Sequence, residues 1–179
     1  KILDTEYANE DYAIAVAKEN TALLEQVNEA LAALKEDGTV DAIVNKYISG
    51  EAHDLTFQAD AEGKEELHMA TNAQFPPYEY YEGDAIVGID AEMAAAIADY
   101  LGMKLVIDDM DFDASLLAVQ QGKSDMVMAG VTVNEERLAV MDFSDSYATG
   151  IQVVIVPEDS DITSIDDLEG KLIGTQRGT

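Results

Sequence analysis

Apolar residues change their period several times along the chain, and the changes mark its elements. In "TALLEQVNEALAALKEDG" (21–38), Leu23, Leu24, Val27, Ala30, Leu31 and Leu34 recur at helical spacing, and Gly38 ends the run. "TVDAIVNKYI" repeats the pattern through Val40, Ile43, Val44, Tyr47 and Ile48, which predicts a second, shorter helix. Before both, "DYAIAVAK" (11–18) alternates and then runs apolar, as a strand does. Residues 49–65 carry no period and are rich in polar and small residues, the mark of a linker.

Past the linker the texture becomes strand, loop, helix, strand. "ELHMAT" (66–71) predicts a strand, and "NAQFPPYEYYEGDAIVG" a long loop with a proline pair. "IDAEMAAAIADYLG" (89–102) predicts a helix stopped by Gly102, and "KLVIDDM" a strand. "ASLLAVQQG" (114–122) predicts a short helix, "SDMVMAG" (124–130) a strand and "NEERLAVM" a helix. "GIQVVIVPED" predicts a strand leaving through Pro157, "SIDDLEG" a helical turn and "KLIGTQRGT" a last strand. Strands alternating with helices predict an α/β fold with a mostly parallel sheet flanked by helices. Ligands of such sheets bind beyond the carboxyl ends of the strands.

Charge narrows the partners. The 179 residues include 37 acidic and 10 basic ones, for a net charge of −27. A phosphate backbone would be repelled, so nucleic acid is excluded as a partner, and an anionic membrane surface is disfavoured. No apolar run approaches the ~20 residues that cross a bilayer. The opening "KILDTEYANE" has no signal-peptide pattern, and a mature exported domain would look the same. There is no cysteine, which excludes disulfides, thiolate zinc sites and cysteine nucleophiles. His53 and His68 have no partner at metal-ligand spacing. "DDMDFD" (108–113) lacks the glycine and terminal glutamate of a calcium loop. No metal or cofactor is expected, and no catalytic motif is present.

One of only two arginines, Arg137, lies shortly after the turn "AGVT". The strand before it ends near Ala129, Gly130 makes the turn, and Thr132 with Glu135 has capping-box spacing. Orphan backbone N–H groups at a helix start, the Thr132 hydroxyl and a bidentate guanidinium together suit a carboxylate. The ordinary alternative is a plain helix start, with Arg137 paired to Asp142, Asp145 or a nearby glutamate. A second constellation, "ATNAQFPPYEYY", delivers Asn72 and then Phe75 to the rim of the sheet. A rigid Pro76-Pro77 loop could hold an aromatic ring over a ligand. The alternative is that Phe75, Tyr78 and Tyr80 fill the space beneath the loop.

Together these segments resemble the periplasmic or lipoprotein amino-acid-binding proteins of ABC importers, solute-binding family 3. The resemblance rests on "ATNAQFPPYEYYEGDAIVGIDAEMAAAIADYLG", "LLAVQQGKSDMVMAGVTVNEERLAVMDFSDSY", "LEGKLIGTQRGT" and, for the family's carboxyl-terminal segment, "YAIAVAKENTALLEQVNEALAALKEDGTVDAIVNKYI". It implies a lobe of the periplasmic-binding-protein type II kind. It implies that Gly130, Thr132 and Arg137, beside Ala129, hold a ligand's α-carboxylate, and that Phe75 covers the ligand. Asn72 stands where an aspartate is common, and Gln176 and Thr179 would add contacts from the second lobe.

The family order is reversed here, and the middle of lobe two, with the aspartate that usually receives the α-ammonium, is absent from the sequence. A circular permutant and a piece of a tandem array both account for that. The resulting division is 1–10 as a lobe-two remnant, 11–48 as the carboxyl-terminal segment of lobe one, 49–65 as linker, 66–156 as the amino-terminal segment of lobe one, and 157–179 as the start of lobe two. The function implied is noncatalytic, extracytoplasmic capture of a polar free amino acid for an ABC permease, with self-association through the incomplete lobe as a further expectation. The alternatives are a sensory ligand-binding domain and a dehydratase of the same fold acting on a cyclic carboxylic acid. The latter needs a positioned acid that the sequence does not nominate.

Overall fold

The computed structural model describes residues 1–18, 20–60 and 62–175. Its centre is a five-stranded sheet in the order β7 (Lys104–Asp109), β3 (Glu66–Thr71), β8 (Met126–Val127), β2 (Ala15–Ala17), β9 (Met141–Phe143). β3 runs parallel to both neighbours, with Met69 opposite Ile107 and Met126. β2 is antiparallel to β8 and β9, so every strand but β2 points the same way. The described residues of the linker form no strand or helix, and they are still held to the sheet: the Leu105 N–H donates to the Ala59 carbonyl at 2.7 Å.

Helices cover the faces. α1 (Thr21–Glu36) turns Leu23, Val27, Ala30, Leu31 and Leu34 inward, and Asn20 Oδ1 accepts from the Leu23 N–H at its start. α2 (Thr39–Ile48) follows at once, because Gly38 takes the left-handed φ of 84° that reverses the chain. α3 (Ile89–Tyr100) is alanine-rich and buries Ile89, Met93, Ala94, Ala96, Ile97 and Ala98. Those residues meet Leu67 and Met69 in one cluster, and α4 (Phe112–Gln120) meets Ala70 and Val127 in a second. Each fully buried Leu, Ile or Met contributes roughly 1.5–3 kcal/mol.

Several expected elements differ. The proline loop is a three-stranded meander, β4 (Gln74–Phe75), β5 (Glu79–Glu82) and β6 (Ala85–Val87). Gly83, at φ 64°, makes the tight turn that brings Glu82 opposite Ala85. The helix expected over "NEERLAVM" is only α5 (Glu135–Leu138), because Met141 is drawn into β9 opposite Ala17. The amino end is β1 (Ile2–Tyr12), paired antiparallel with β10 (Ala148–Ile155) in a separate two-stranded ribbon. A single 3-10 turn spans Ile165–Leu168. Residues 171–175 form no strand, and the rest of that expected strand lies outside the described residues.

Candidate functional site

β8 carries Met128 and Ala129 to Gly130 at the rim of the sheet, all but Gly130 buried. Gly130 has φ 54°, and a Cβ there would stand 2.6 Å from Phe75 Cε1. The left-handed turn favours glycine, and a side chain there would also push the Phe75 ring from its place. The Gly130 N–H donates to Asp90 Oδ2 at 2.9 Å, so this amide is tied into the fold. Phe75 is part-exposed and stacks on Tyr78 with centroids 5.3 Å apart, and Tyr78 meets Tyr12 edge-on at 5.1 Å. The aromatic loop therefore both packs and presents a ring face.

Thr132 is not a helix cap. It bridges Tyr12 across the end of β1, with the Ala13 N–H bonded to Val131 O and the Val133 N–H to Asp11 O. That pairing puts Thr132 in extended backbone and moves the cap to Asn134, whose Oδ1 accepts from the Arg137 N–H at 2.8 Å. The Thr132–Glu135 capping box is thus replaced by an Asn134 cap. An extended residue turns its N–H and C=O to the same edge. The Thr132 C=O accepts from Arg137 Nη1 at 2.8 Å, so its N–H faces the same side as that guanidinium.

Arg137 is buried, 9% exposed, with its guanidinium 5.3 Å from the centre of the Phe112 ring. Burial lowers its pKa, and the carboxylates of Glu10, Glu136 and Asp113 act against that. The ordinary alternative pairs it with Asp142, Asp145 or a nearby glutamate, and the charges of Glu10 and Glu136 do act on it. Asp142 instead accepts from Lys18 at 2.9 Å. Asn72 is also buried, and its Nδ2 donates to the Met110 carbonyl at 2.9 Å, which turns it toward the end of β7. The structure brings Phe75 onto Gly130 and Thr132 onto Arg137. Gln176 and Thr179 lie outside the described residues.

Four residues that sequence reasoning missed belong to this arrangement. Phe112 supplies the face under the guanidinium, and Tyr12 closes the aromatic stack. Glu10 accepts from Gln152 Nε2 at 2.8 Å and from the Tyr12 hydroxyl at 3.3 Å. Burial first, then the Glu10 charge, pushes the Tyr12 hydroxyl pKa up to about 12, so it stays protonated. Asp90 orients Gly130. Each arrives from a distant segment, and only Tyr12, in an apolar run, carried any sequence signal.

Elsewhere, a groove of about 330 Å³ between α2 and the start of β10 includes Tyr78 and Tyr147 but none of the candidate residues. His53 Nε2 lies 3.1 Å from Glu92, which also holds Lys46, and His68 Nδ1 lies 3.0 Å from Asp108. Among the described residues no group of three or more His, Cys, Asp or Glu could hold a metal ion.

The sequence matches the bacterial extracellular solute-binding proteins, family 3, over residues 4–50 and 67–173. It is 42% identical over 117 residues to the arginine-binding extracellular protein ArtP of Bacillus subtilis (strain 168), covering 65% of this chain and 46% of that protein. It is 35% identical over 129 residues to a probable histidine-binding protein of Neisseria gonorrhoeae, covering 72% and 48%. Among solved structures, the arginine-bound form of domain 1 from TmArgBP is 41% identical, with a TM-score of 0.44 over 45% of this chain and 64% of that one. The chain spans about half the length of the curated relatives it matches.

Proposed function

This chain belongs to the bacterial extracellular solute-binding proteins of family 3, and from that premise we propose that it contributes the carboxylate-binding lobe of a noncatalytic receptor for a free amino acid. The observation that carries the reading is the pairing of a buried Arg137 with Thr132 at the carboxyl end of β8. A ligand carboxylate set beside them would accept from the guanidinium and the Thr132 N–H, in charge-assisted bonds of about 1.5–3 kcal/mol each. The Phe75 ring, lying over Gly130, offers the ligand an apolar cover. Arginine is the first ligand to try, since ArtP carries that specificity in its name and is 42% identical over 117 residues.

Delivery to an ABC permease, an extracytoplasmic location and lobe boundaries at residues 11–48 and 66–156 are part of the same proposal. Contacts from Gln176 and Thr179 are part of it too. One lobe offers half of the enclosure a small ligand needs, so a single-lobed chain binds weakly.

Titration calorimetry with the twenty amino acids, arginine first, tests this in the chain and in a version carrying two complete lobes. In the two-lobed protein, Arg137→Ala is expected to cost ~2–5 kcal/mol of binding, since the ligand carboxylate is left buried and unmatched. Arg137→Lys weakens binding as well, because an ammonium cannot reproduce the planar fork. Unchanged affinity in Arg137→Ala would return the arginine to a packing role.

A further inference from the structure

Two carboxyl groups lie under the candidate site with no exposure at all. Glu79, on β5, and Asp90, in the first turn of α3, are each 0% exposed. Asp90 Oδ2 accepts from the Gly130 N–H at 2.9 Å. Asp90 Oδ1, both oxygens of Glu79 and the Tyr147 hydroxyl are buried without a partner in full hydrogen-bond geometry. Glu79 and Asp90 are close enough to act on each other's titration, and Tyr147 acts on Asp90. The charged and titratable groups that face the pair are Tyr78 from the meander and Tyr147 from the segment before β10. None of them is a cation.

Two carboxylates cannot both stay ionised in a fully buried site without a counter-charge. One must carry a proton, and position decides which. Burial raises the Asp90 pKa as well, but the Gly130 amide, then Tyr147 and Glu79, act against that rise and favour its ionised form. Glu79 has no such donor; burial, and secondarily the Asp90 charge, push its pKa up to about 12.

We propose that Glu79 is a positioning residue: kept protonated, it donates to Asp90, and Asp90 in turn fixes the Gly130 turn beneath the Phe75 ring. The candidate carboxylate site is thus assembled around a buried carboxyl–carboxylate pair. The functional meaning of this pair rests on the amino-acid reading given above; its chemistry does not. Fixing Gly130 fixes the path of the chain into Thr132, and it sets the surface on which the ring rests.

The sign of the pH dependence follows. Between the pKa of an unfolded glutamate, roughly 4.3, and that of Glu79 when folded, the native state holds one proton more than the unfolded state. Raising the pH therefore favours unfolding, by about tenfold in the unfolding constant per pH unit. Glu79→Gln keeps the shape and the donor and cannot ionise, so it removes this slope. Glu79→Met keeps the length and removes the donor.

The experiment is urea unfolding of the full chain and both variants between pH 5.5 and 8.5, with hydrogen exchange read at the Gly130 amide. The ratio of wild-type to Gln-variant unfolding constants is expected to climb about tenfold per pH unit. Gly130 protection is expected to survive in Glu79→Gln and to fall at least ~tenfold in Glu79→Met, since an Asp90 without its donor is a poorer, partly protonated acceptor. Parallel pH profiles for wild type and Glu79→Gln would overturn the protonated state. Equal Gly130 protection in the Gln and Met variants would overturn the positioning role. If no amino acid binds any of these proteins while the slopes and protection behave as expected, the amino-acid reading fails and the carboxyl pair stands.

Discussion

β3 and β10 are both apolar strands, and they live in different surroundings. β3 lies between two parallel neighbours, with Leu67, Met69, Ala70 and Thr71 at 0% exposure. β10 reads "ATGIQVVI" and has the stronger β-forming composition, yet Ile151 is 56% exposed and Ile155 75%. Its single partner is β1, and the ribbon's apolar face, which also carries Ile2, Tyr7 and Val153, has nothing packed over it among the described residues. Composition reports how readily a segment extends. Burial depends on what lies above it, which the segment itself does not encode.

The sharpest test of that contrast is truncation of equally apolar side chains. Met69→Ala removes atoms from a closed core and is expected to cost ~2–5 kcal/mol of stability. Ile151→Ala removes a side chain that is already largely in water and should stay within about 0.5 kcal/mol. Urea unfolding of both variants measures the difference. A large loss in Ile151→Ala would mean that the ribbon's open face is covered in solution, and the comparison would break.

Glycines give a second, smaller version of the same test. Gly88, at φ 126° and ψ 179°, occupies backbone space that other residues enter at about 1–3 kcal/mol. A Cβ there would also stand 2.2 Å from the Tyr78 carbonyl oxygen, an atom with no rotamer to escape into. In the ribbon, a Cβ on Gly150 would meet the far end of the Tyr12 side chain at 2.9 Å. Gly88→Ala is expected to destabilise by at least that ~1–3 kcal/mol, and Gly150→Ala by less, with thermal unfolding as the measure. In the second variant the Tyr12 ring should shift and disturb the aromatic stack before the fold is lost.

The sequence showed its helices clearly and its connections poorly. α1 and α3 present long apolar stripes, and their periods locate them within a residue or two. The meander is harder, because "EYYEGDAIV" sets its turn signal between strands of only four and three residues, too short to show an alternation. β9 was hidden in what looked like the rest of a helix, and only its pairing with β2, from the far end of the chain, makes it a strand. The candidate site divides the same way. Arg137, Gly130 and Phe75 stood out as residue types in a pattern. Phe112, Glu10 and Asp90 reach the site through tertiary contacts, and no local pattern announces a residue that matters for what folds against it. Thr132 and Asn134 are both capping types, and the Tyr12 bridge, not the sequence, chose between them.

The smallest expected effect lies at the solvent edge of β3. His68 Nδ1 is 3.0 Å from Asp108 Oδ2, with Glu66 3.5 Å from its other nitrogen and Asp125 binding its backbone N–H. The hydrogen bond to Asp108 raises the His68 pKa, against a smaller lowering by burial. A histidine whose folded pKa is raised contributes stability that is complete below its unfolded pKa, about 6.5. That contribution disappears as the pH rises through the higher folded value. The side chains are 37% and 38% exposed, so solvent screens the pair and its contribution is about 0–1 kcal/mol. Asp108→Asn should therefore lower stability at pH 5.5 by no more than that and leave it unchanged well above the folded pKa. Urea unfolding at the two pH values tests this. The ribbon's own ion pair, the amino terminus with Glu158 at 3.5 Å, involves a carboxylate 92% exposed, and Glu158→Gln should move stability at neither pH. If Asp108→Asn behaves the same way, the sheet edge and the ribbon are electrostatically alike, and the contrast between them is confined to what the sheet buries.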